Sequence, residues 1–252
     1  MPVTDARDSG VVMDPDPGAY RERASRVPGA VLWRRVMPAS ESAQRVLPDG
    51  CMDLIWTDGE LMVAGPDTEA HLAADPAGTR YVGLRFAPGT GPAVLGVPAH
   101  ELRDRRVPLD DLWLAVRVRR LADHLHAVLE SGTMTDLGAA MEQVAGGRYR
   151  QAGPPDPAVA EVVALVRAGL PAAGVADATG ISERQLHRRC LAVFGYGPKT
   201  LGRILRMNRA VDLARTGTSF ATVAAVAGYA DQAHLAREVR ALTGVTLGTL
   251  IR

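Results

Sequence analysis

Only two cysteines, Cys51 and Cys190, occur in the 252 residues, and they give no metal-ligand spacing. A disulfide framework is therefore not expected, and the pair fits a reducing compartment. Long apolar runs are missing too: none approaches the ~18 residues of a membrane span. The polar, acidic start lacks the basic-then-apolar layout of a signal peptide, so a cytoplasmic location without a membrane partner is expected. There is no Gly-rich phosphate loop, paired-carboxylate motif or nucleophile elbow. His100 is remote from other His or Cys, and His124 and His126, at i and i+2, would diverge on a helix. On these grounds no catalytic residue, cofactor or metal ion is expected. Aromatic residues are scarce at 4%, whereas apolar residues, at 47%, suffice for the cores of one large or two small units.

Net charge is almost absent at +1, yet it is unevenly placed. From Asp156 to Arg252 there are 12 Lys and Arg against 7 Asp and Glu, which leaves 17 against 21 in the other 155 residues. The basic end is the one suited to phosphates, and the modest excess means that placed Arg contacts must supplement charge density.

Two helix-turn-helix patterns fill that end. In the first, Val175 to Ala178 reads as a short small-residue helix broken at Gly180, which can adopt a left-handed backbone. Ser182 then caps a new helix, with Gln185 completing a capping box. Leu186, Cys190, Val193 and Phe194 fall on one face of it, leaving Arg184 and Arg188 opposite, flanked by Gln185 and Arg189. In the second unit Phe220, Val223, Ala224 and Ala227 form a stripe ending at Gly228-Tyr229. Asp231 caps a helix that buries Leu235, Val239 and Leu242. Opposite that stripe lie Ala233, Arg237 and Arg240, with Gln232 and Ala236 in the first turns, where a recognition helix meets base edges. Between the units, Pro198 suits a first helical turn, and Lys199 to Arg215 spans roughly 25 Å as a helix.

These residues resemble the DNA-binding domain of AraC/XylS-type transcriptional regulators. The resemblance rests on Val175-Ala176, Ile181-Ser182, Arg184, Leu186, Arg188, Gly195, Gly197-Pro198, Arg206 and Ala210 in the first half. In the second it rests on Phe220, Val223-Ala224, Gly228-Tyr229, Leu235, Arg237, Val239, Gly244 and Thr246. Cys190, Leu235 and Val239 stand where the family usually has Phe, Leu247 where it has Pro, and Ile251 where Arg is common. The resemblance implies a transcription factor binding double-stranded DNA through both units. Arg184, Gln185, Arg188 and Arg189 would serve one major groove, and Gln232, Ala233, Ala236, Arg237 and Arg240 the next. Ser182, Lys199, Arg206 and His234 are candidates for phosphate contacts, Arg206 and Lys199 for scaffold roles as well. Unlike units imply a long asymmetric site, bent at a cost of about 1–6 kcal/mol if the helices lie closer than one DNA turn.

Ahead of this end, the runs from Val31, Arg45, Cys51, Leu61 and Tyr81 are strand-like, separated by turn signals such as Pro48-Asp49-Gly50 and Thr57-Asp58-Gly59. An antiparallel β sandwich or barrel is expected, and with the helical end the fold class is α+β. The run Leu47-Pro48-Asp49-Gly50-Cys51-Met52-Asp53-Leu54-Ile55-Trp56, with Gly96 to Leu102 and Val107-Pro108-Leu109, resembles the cupin-like, poorly characterised sensor module of a subgroup of AraC-type regulators. From Leu109 amphipathic helices follow, one through Leu129 and another from Met134 to Val144, and Gly146-Gly147 with Gly153 to Pro157 mark a linker. The expected division is a mobile tail over 1–20, an effector-sensing part with a helical extension over 21–150, and a DNA-binding part over 151–252.

Trp33, Arg45, Asp49, Cys51, Asp53, Trp56, Tyr81 and Arg85 are the candidates for an effector pocket. For the aromatics, Trp113 included, core filling is the competing reading; for Arg45, Asp49, Asp53 and Arg85 it is turns and surface pairs. Cys51 is either a redox-sensitive thiol or a small buried strand residue. The partners expected are DNA, a small-molecule effector, RNA polymerase and a second copy of the chain. The alternative is an enzyme or protein-interaction adaptor that uses the amino-terminal barrel, with the helix-turn-helix units as a DNA tether.

Overall fold

A computed structural model describes residues 20–38 and 44–252. Of the expected tail, only Tyr20 lies among them. The antiparallel region takes the form of a six-stranded sheet. Its order is β1 (Arg21–Ala24), β2 (Ala30–Val36), β7 (Arg80–Phe86), β4 (Met52–Thr57), β5 (Glu60–Ala64) and β8 (Arg106–Pro108). A separate ribbon pairs β3 (Gln44–Val46) with β6 (His71–Ala73). Strands β4 and β5 join through Asp58-Gly59, whose φ values of 41° and 104° suit a two-residue hairpin loop.

Alternation along β4 sends Met52, Leu54 and Trp56 to a buried face and Asp53, Ile55 and Thr57 to the opposite one. Register carries this split across the sheet. Leu54 pairs with Leu84 and Leu84 with Leu32, all buried, whereas Asp53 pairs with Arg85, and Ile55 and Trp33 both pair with Gly83. The buried face is covered by α1 (Gly91–Leu95), α2 (Ala115–Ser131) and α3 (Met134–Ala152), which contribute Val94, Leu95, Val118, Leu125, Leu137 and Met141 to a common core. Each such side chain contributes about 1.5–3 kcal/mol of burial.

Helix α3 corrects one expectation. Gly146-Gly147 lie inside it, and the chain leaves the helix only at Gly153. Two mid-helix glycines cost about 1 kcal/mol each relative to Ala. The capping box of Thr133 with Asp136 and the buried stripe of Leu137, Met141 and Ala145 carry the helix through them.

The remaining helices are α4 (Pro157–Arg167), α5 (Ala172–Ala178), α6 (Glu183–Phe194), α7 (Pro198–Arg215), α8 (Phe220–Ala227), α9 (Gln232–Thr243) and α10 (Leu247–Leu250). Their common core is threaded by α7, whose Leu201, Ile204, Met207, Ala210 and Val211 are all buried. Of the five departures from the usual pattern, Cys190, Leu235, Val239 and Leu247 are buried there, and Ile251 packs against that core half-buried. No helix among the described residues is long and apolar enough to cross a membrane.

The sheet and the helical end approach each other closely at two glycines. Gly89, at φ +91°, lies so near α4 that an added Cβ would stand 2.3 Å from Val159 Cγ1 and 3.1 Å from Phe194 Cε1. Gly195, at φ +84°, would bring a Cβ within 2.6 Å of Pro66 Cγ. Both positions need glycine twice over, for backbone conformation and for space.

Candidate nucleic-acid interface

Helices α6 and α9 are built to leave one face free. Ser182 Oγ accepts the Gln185 backbone N–H at 3.3 Å, while Gln185 Oε1 accepts the Ser182 backbone N–H at 2.9 Å. This reciprocal cap starts α6, and Gly195 in a left-handed conformation ends it. Leu186, Cys190 and Phe194 are buried; Arg184, Gln185, Arg188 and Arg189 are exposed. In α9 the Asp231 carboxylate accepts the His234 backbone N–H at 2.6 Å, Gly244 closes the helix, and Leu235, Val239 and Leu242 face inward. Gln232, Ala233, Ala236, Arg237 and Arg240 are exposed. Between them α7 has 18 residues, about 27 Å at 1.5 Å per residue.

The four candidates for phosphate contacts separate. Lys199 is exposed near the start of α7, and Ser182 is exposed with its hydroxyl engaged in the cap. Arg206 is drawn inward: its Nη2 donates to Glu238 Oε1 at 2.6 Å, and its guanidinium lies 4.6 Å from the Tyr229 ring centre. His234 sits edge-on to Tyr229 at 5.2 Å, with its Nε2 3.6 Å from Glu238 Oε2. Burial and then the Glu238 charge push the Tyr229 hydroxyl up to about 12. Arg206 therefore ties α7 to α9, the scaffold alternative for this residue.

On the open face of the sheet the effector-pocket candidates also divide. The Trp33 ring lies across Gly83, where a Cβ would stand 2.2 Å from Trp33 Cε2. Tyr20 and Tyr81 flank it at 6.0 and 6.5 Å with interplanar angles of 28° and 29°. Trp33 Nε1 donates to Asp53 Oδ1 at 2.6 Å, and Arg85 Nε lies 3.5 Å from Asp53 and 3.6 Å from Asp49. Burial raises Asp53 to about 6, against the opposing pull of Arg85. Burial, with Asp49 and Asp53 beside it, also pushes the Cys51 thiol well up, so the thiolate that a redox-sensitive cysteine requires is disfavoured. Trp33, Asp49, Cys51, Asp53, Tyr81 and Arg85 thus form one neighbourhood, joined by Tyr20, which sequence reasoning missed because it precedes any strand-like run.

Two candidates do not belong to it. Trp56 is 1% exposed on the helix-covered face, because its position in β4 is odd-numbered with respect to Asp53. Arg45 stands on the β3–β6 ribbon, and its Nη1 donates to the Thr243 carbonyl at 2.6 Å, at the end of α9. Trp113, too, is elsewhere, donating from Nε1 to the Leu95 carbonyl at 2.9 Å.

Further bonds link the two ends of the chain. The Ala70 N–H donates to the Leu242 carbonyl at 2.8 Å, and Asn208 Nδ2 donates to the Pro48 carbonyl at 2.8 Å. A cleft of about 1590 Å³ runs along α4, α7 and the start of α9, with Asp49, Cys51 and Pro88 contributing from the sheet side. Among the described residues no group of three or more His, Cys, Asp or Glu is placed to hold a metal ion.

Two exposed, arginine-bearing helices on a shared scaffold define a double helix-turn-helix protein. Residues 175–252 match the family model of a helix-turn-helix domain, and residues 30–108 match a domain of unknown function (DUF6597). The carboxy-terminal part of the chain is thus a helix-turn-helix domain, the kind of fold that presents helices to DNA. Among solved structures the chain is similar to an AraC-type regulator from Chromobacterium violaceum, at 27% identity and a TM-score of 0.36 over 38% of this chain and 89% of that one. A probable AraC family regulator from Rhodopseudomonas palustris gives 23% identity and a TM-score of 0.34 over 38% and 95%. ToxT from Vibrio cholerae gives 10% identity and a TM-score of 0.48 over 88% and 96%. Among curated proteins none matches.

Proposed function

We propose that the chain reads a long, asymmetric DNA site with two unlike helices. Arg184, Gln185, Arg188 and Arg189 of α6 would lie in one major groove, and Gln232, Ala233, Ala236, Arg237 and Arg240 of α9 in the next. The observation that carries the reading is that all nine side chains are exposed, while the opposite face of each helix is buried. None of the five arginines is in an ion pair or side-chain hydrogen bond with a described residue, so each is available for bidentate pairing with guanine. Ala233 and Ala236 are small enough to meet thymine methyl groups. Gln185 has its oxygen committed to the cap and its amide N–H groups free to donate.

Residues 21–150 serve in this proposal as the effector-sensing part, with Trp33, Asp53 and Arg85 at its centre. Occupancy there reaches the DNA-reading end through the Pro48-Asp49-Gly50 turn, which adjoins Arg85 at one side and Asn208 of α7 at the other. Some ToxT structures contain a small organic acid or an unsaturated fatty acid, which supports a small-molecule effector as the input. No catalytic step is assigned to the sheet. The reading places the protein in the cytoplasm with its DNA, acting on RNA polymerase, and a second copy is the natural partner on tandem sites. Selection of bound sequences from a random DNA pool tests it. Enrichment of one long asymmetric site is expected, with an affinity that falls steeply with salt; no enrichment by folded protein, with or without added effector candidates, overturns it.

A further inference from the structure

A second concave site lies on the far side of the sheet from Trp33 and Asp53, between α2 and α3. It is an open groove of about 540 Å³, within the range of sites for small organic ligands. Leu121, Ala140 and Val144 give it an apolar floor, and Trp113 forms one wall. Around them stand Arg117, Arg120, His124 and Arg148, with Gln143 and Gln151 and no carboxylate. The side chains of Arg117, Arg120 and His124 make no hydrogen bond or ion pair with any described residue.

Arg148 is held ready. Its Nε donates to the Val94 carbonyl, its Nη2 to the Leu95 carbonyl at 3.3 Å, and its guanidinium lies 4.1 Å from the Trp113 ring centre. Burial and then the like charge of Arg117 pull its pKa down. Positive charge gathered on an apolar surface without a counter-charge is unfavourable until an anion arrives, and a guanidinium already fixed by carbonyls and a ring loses little freedom when one does.

We propose that the α2–α3 groove binds a small amphiphilic organic anion. The acid group lies among Arg117, Arg120 and Arg148, and the apolar body lies on Leu121, Ala140, Val144 and the Trp113 ring. Carboxylate and phosphate monoester share the headgroup chemistry that three arginines recognise. The site stands independently of the DNA-reading assignment, and its test uses no DNA.

Titration calorimetry on the full chain with octanoate, octyl phosphate, octan-1-ol and inorganic phosphate tests it. One equivalent of octanoate or octyl phosphate is expected to bind at least about tenfold tighter than either octan-1-ol or inorganic phosphate, and the tighter of the two names the headgroup. The double substitution Arg117→Glu with Arg120→Glu should weaken that binding by about tenfold or more without moving the melting temperature by more than a few degrees. Gly147→Leu provides the steric arm: a Cβ there meets nothing within 4 Å, so the new side chain enters the groove rather than the core. It should abolish binding while leaving the helix intact. Absence of binding in the folded parent, equal affinity for octan-1-ol, or unchanged affinity in the charge-reversed variant overturns the proposal.

Discussion

Asp53 is a carboxylate held among an aromatic ring, an arginine and the sheet, with its side chain 15% exposed. It accepts the Trp33 indole N–H, faces Arg85, and has its pKa pushed by burial from the ordinary carboxylate range up to about 6. A raised carboxylate pKa means that the folded chain holds the proton more tightly than the unfolded one. The stability this group contributes is therefore full below about pH 4 and is lost as pH rises through about 6. Asp53→Asn keeps an oxygen to accept from Trp33 and removes the titration. Melting temperatures of the two proteins should diverge between pH 4 and 6, with the parent losing ground as pH rises; a difference constant across that window contradicts this account. The sequence made Asp53, Arg85 and Trp33 visible as candidates because strand alternation and turn signals flank them. Alternation alone puts Trp56, three positions on from Asp53, on the opposite face; what the sequence did not show is which of the two faces the helices cover.

At the scale of elements, the helices that carry DNA-reading residues begin and end at short-range signals. Ser182 with Gln185, Asp231, Pro198, Gly195 and Gly228 each act within a few residues of themselves, so the sequence displays them. Strands β1, β6 and β8 lacked such signals: they have 4, 3 and 3 residues and take their definition from neighbours elsewhere in the chain. The continuation of α3 through Gly146-Gly147 is of the same kind, a tertiary stripe overriding local propensity. Arg206 illustrates how an element is fixed to another. Its pairing with Glu238, a side chain only 9% exposed, joins the scaffold helix α7 to the recognition helix α9. Arg206→Ala should cost about 1–2 kcal/mol in unfolding free energy, since the arginine is itself partly solvated and Arg203 remains near Glu238. The salt slope of DNA binding should stay as in the parent; a fall of about 0.9, the value of one lost phosphate contact, would return Arg206 to the DNA.

The whole molecule is two cores joined through a small number of specific contacts. The sheet side supplies Arg45 and the Ala70 N–H to carbonyls at the end of α9, the Pro48 carbonyl to α7, and Gly89 to the close packing on α4, while Gly195 of the helical end packs tightly on Pro66. A cation at a helix C-terminus is favourable, so Arg45 both satisfies a carbonyl and steadies the helix that carries Gln232 and Arg237. These contacts pair residues 160 and 198 positions apart, beyond any periodicity or motif, which is why the sequence announced two parts and said nothing of how they hold each other. The uneven charge of the two parts, by contrast, was readable at once, and the exposed arginines of α6 and α9 give it a location. The central claim is that both of these helices read bases. The most direct measurement is the affinity of Arg188→Ala and of Arg237→Ala for the selected site and for its single-base variants. Each substitution is predicted to cost about 1–3 kcal/mol on the selected site and to relax discrimination in one half of it only, Arg188 in one half and Arg237 in the other. Parent-like affinity and parent-like discrimination in either variant would contradict the assignment of that helix to DNA.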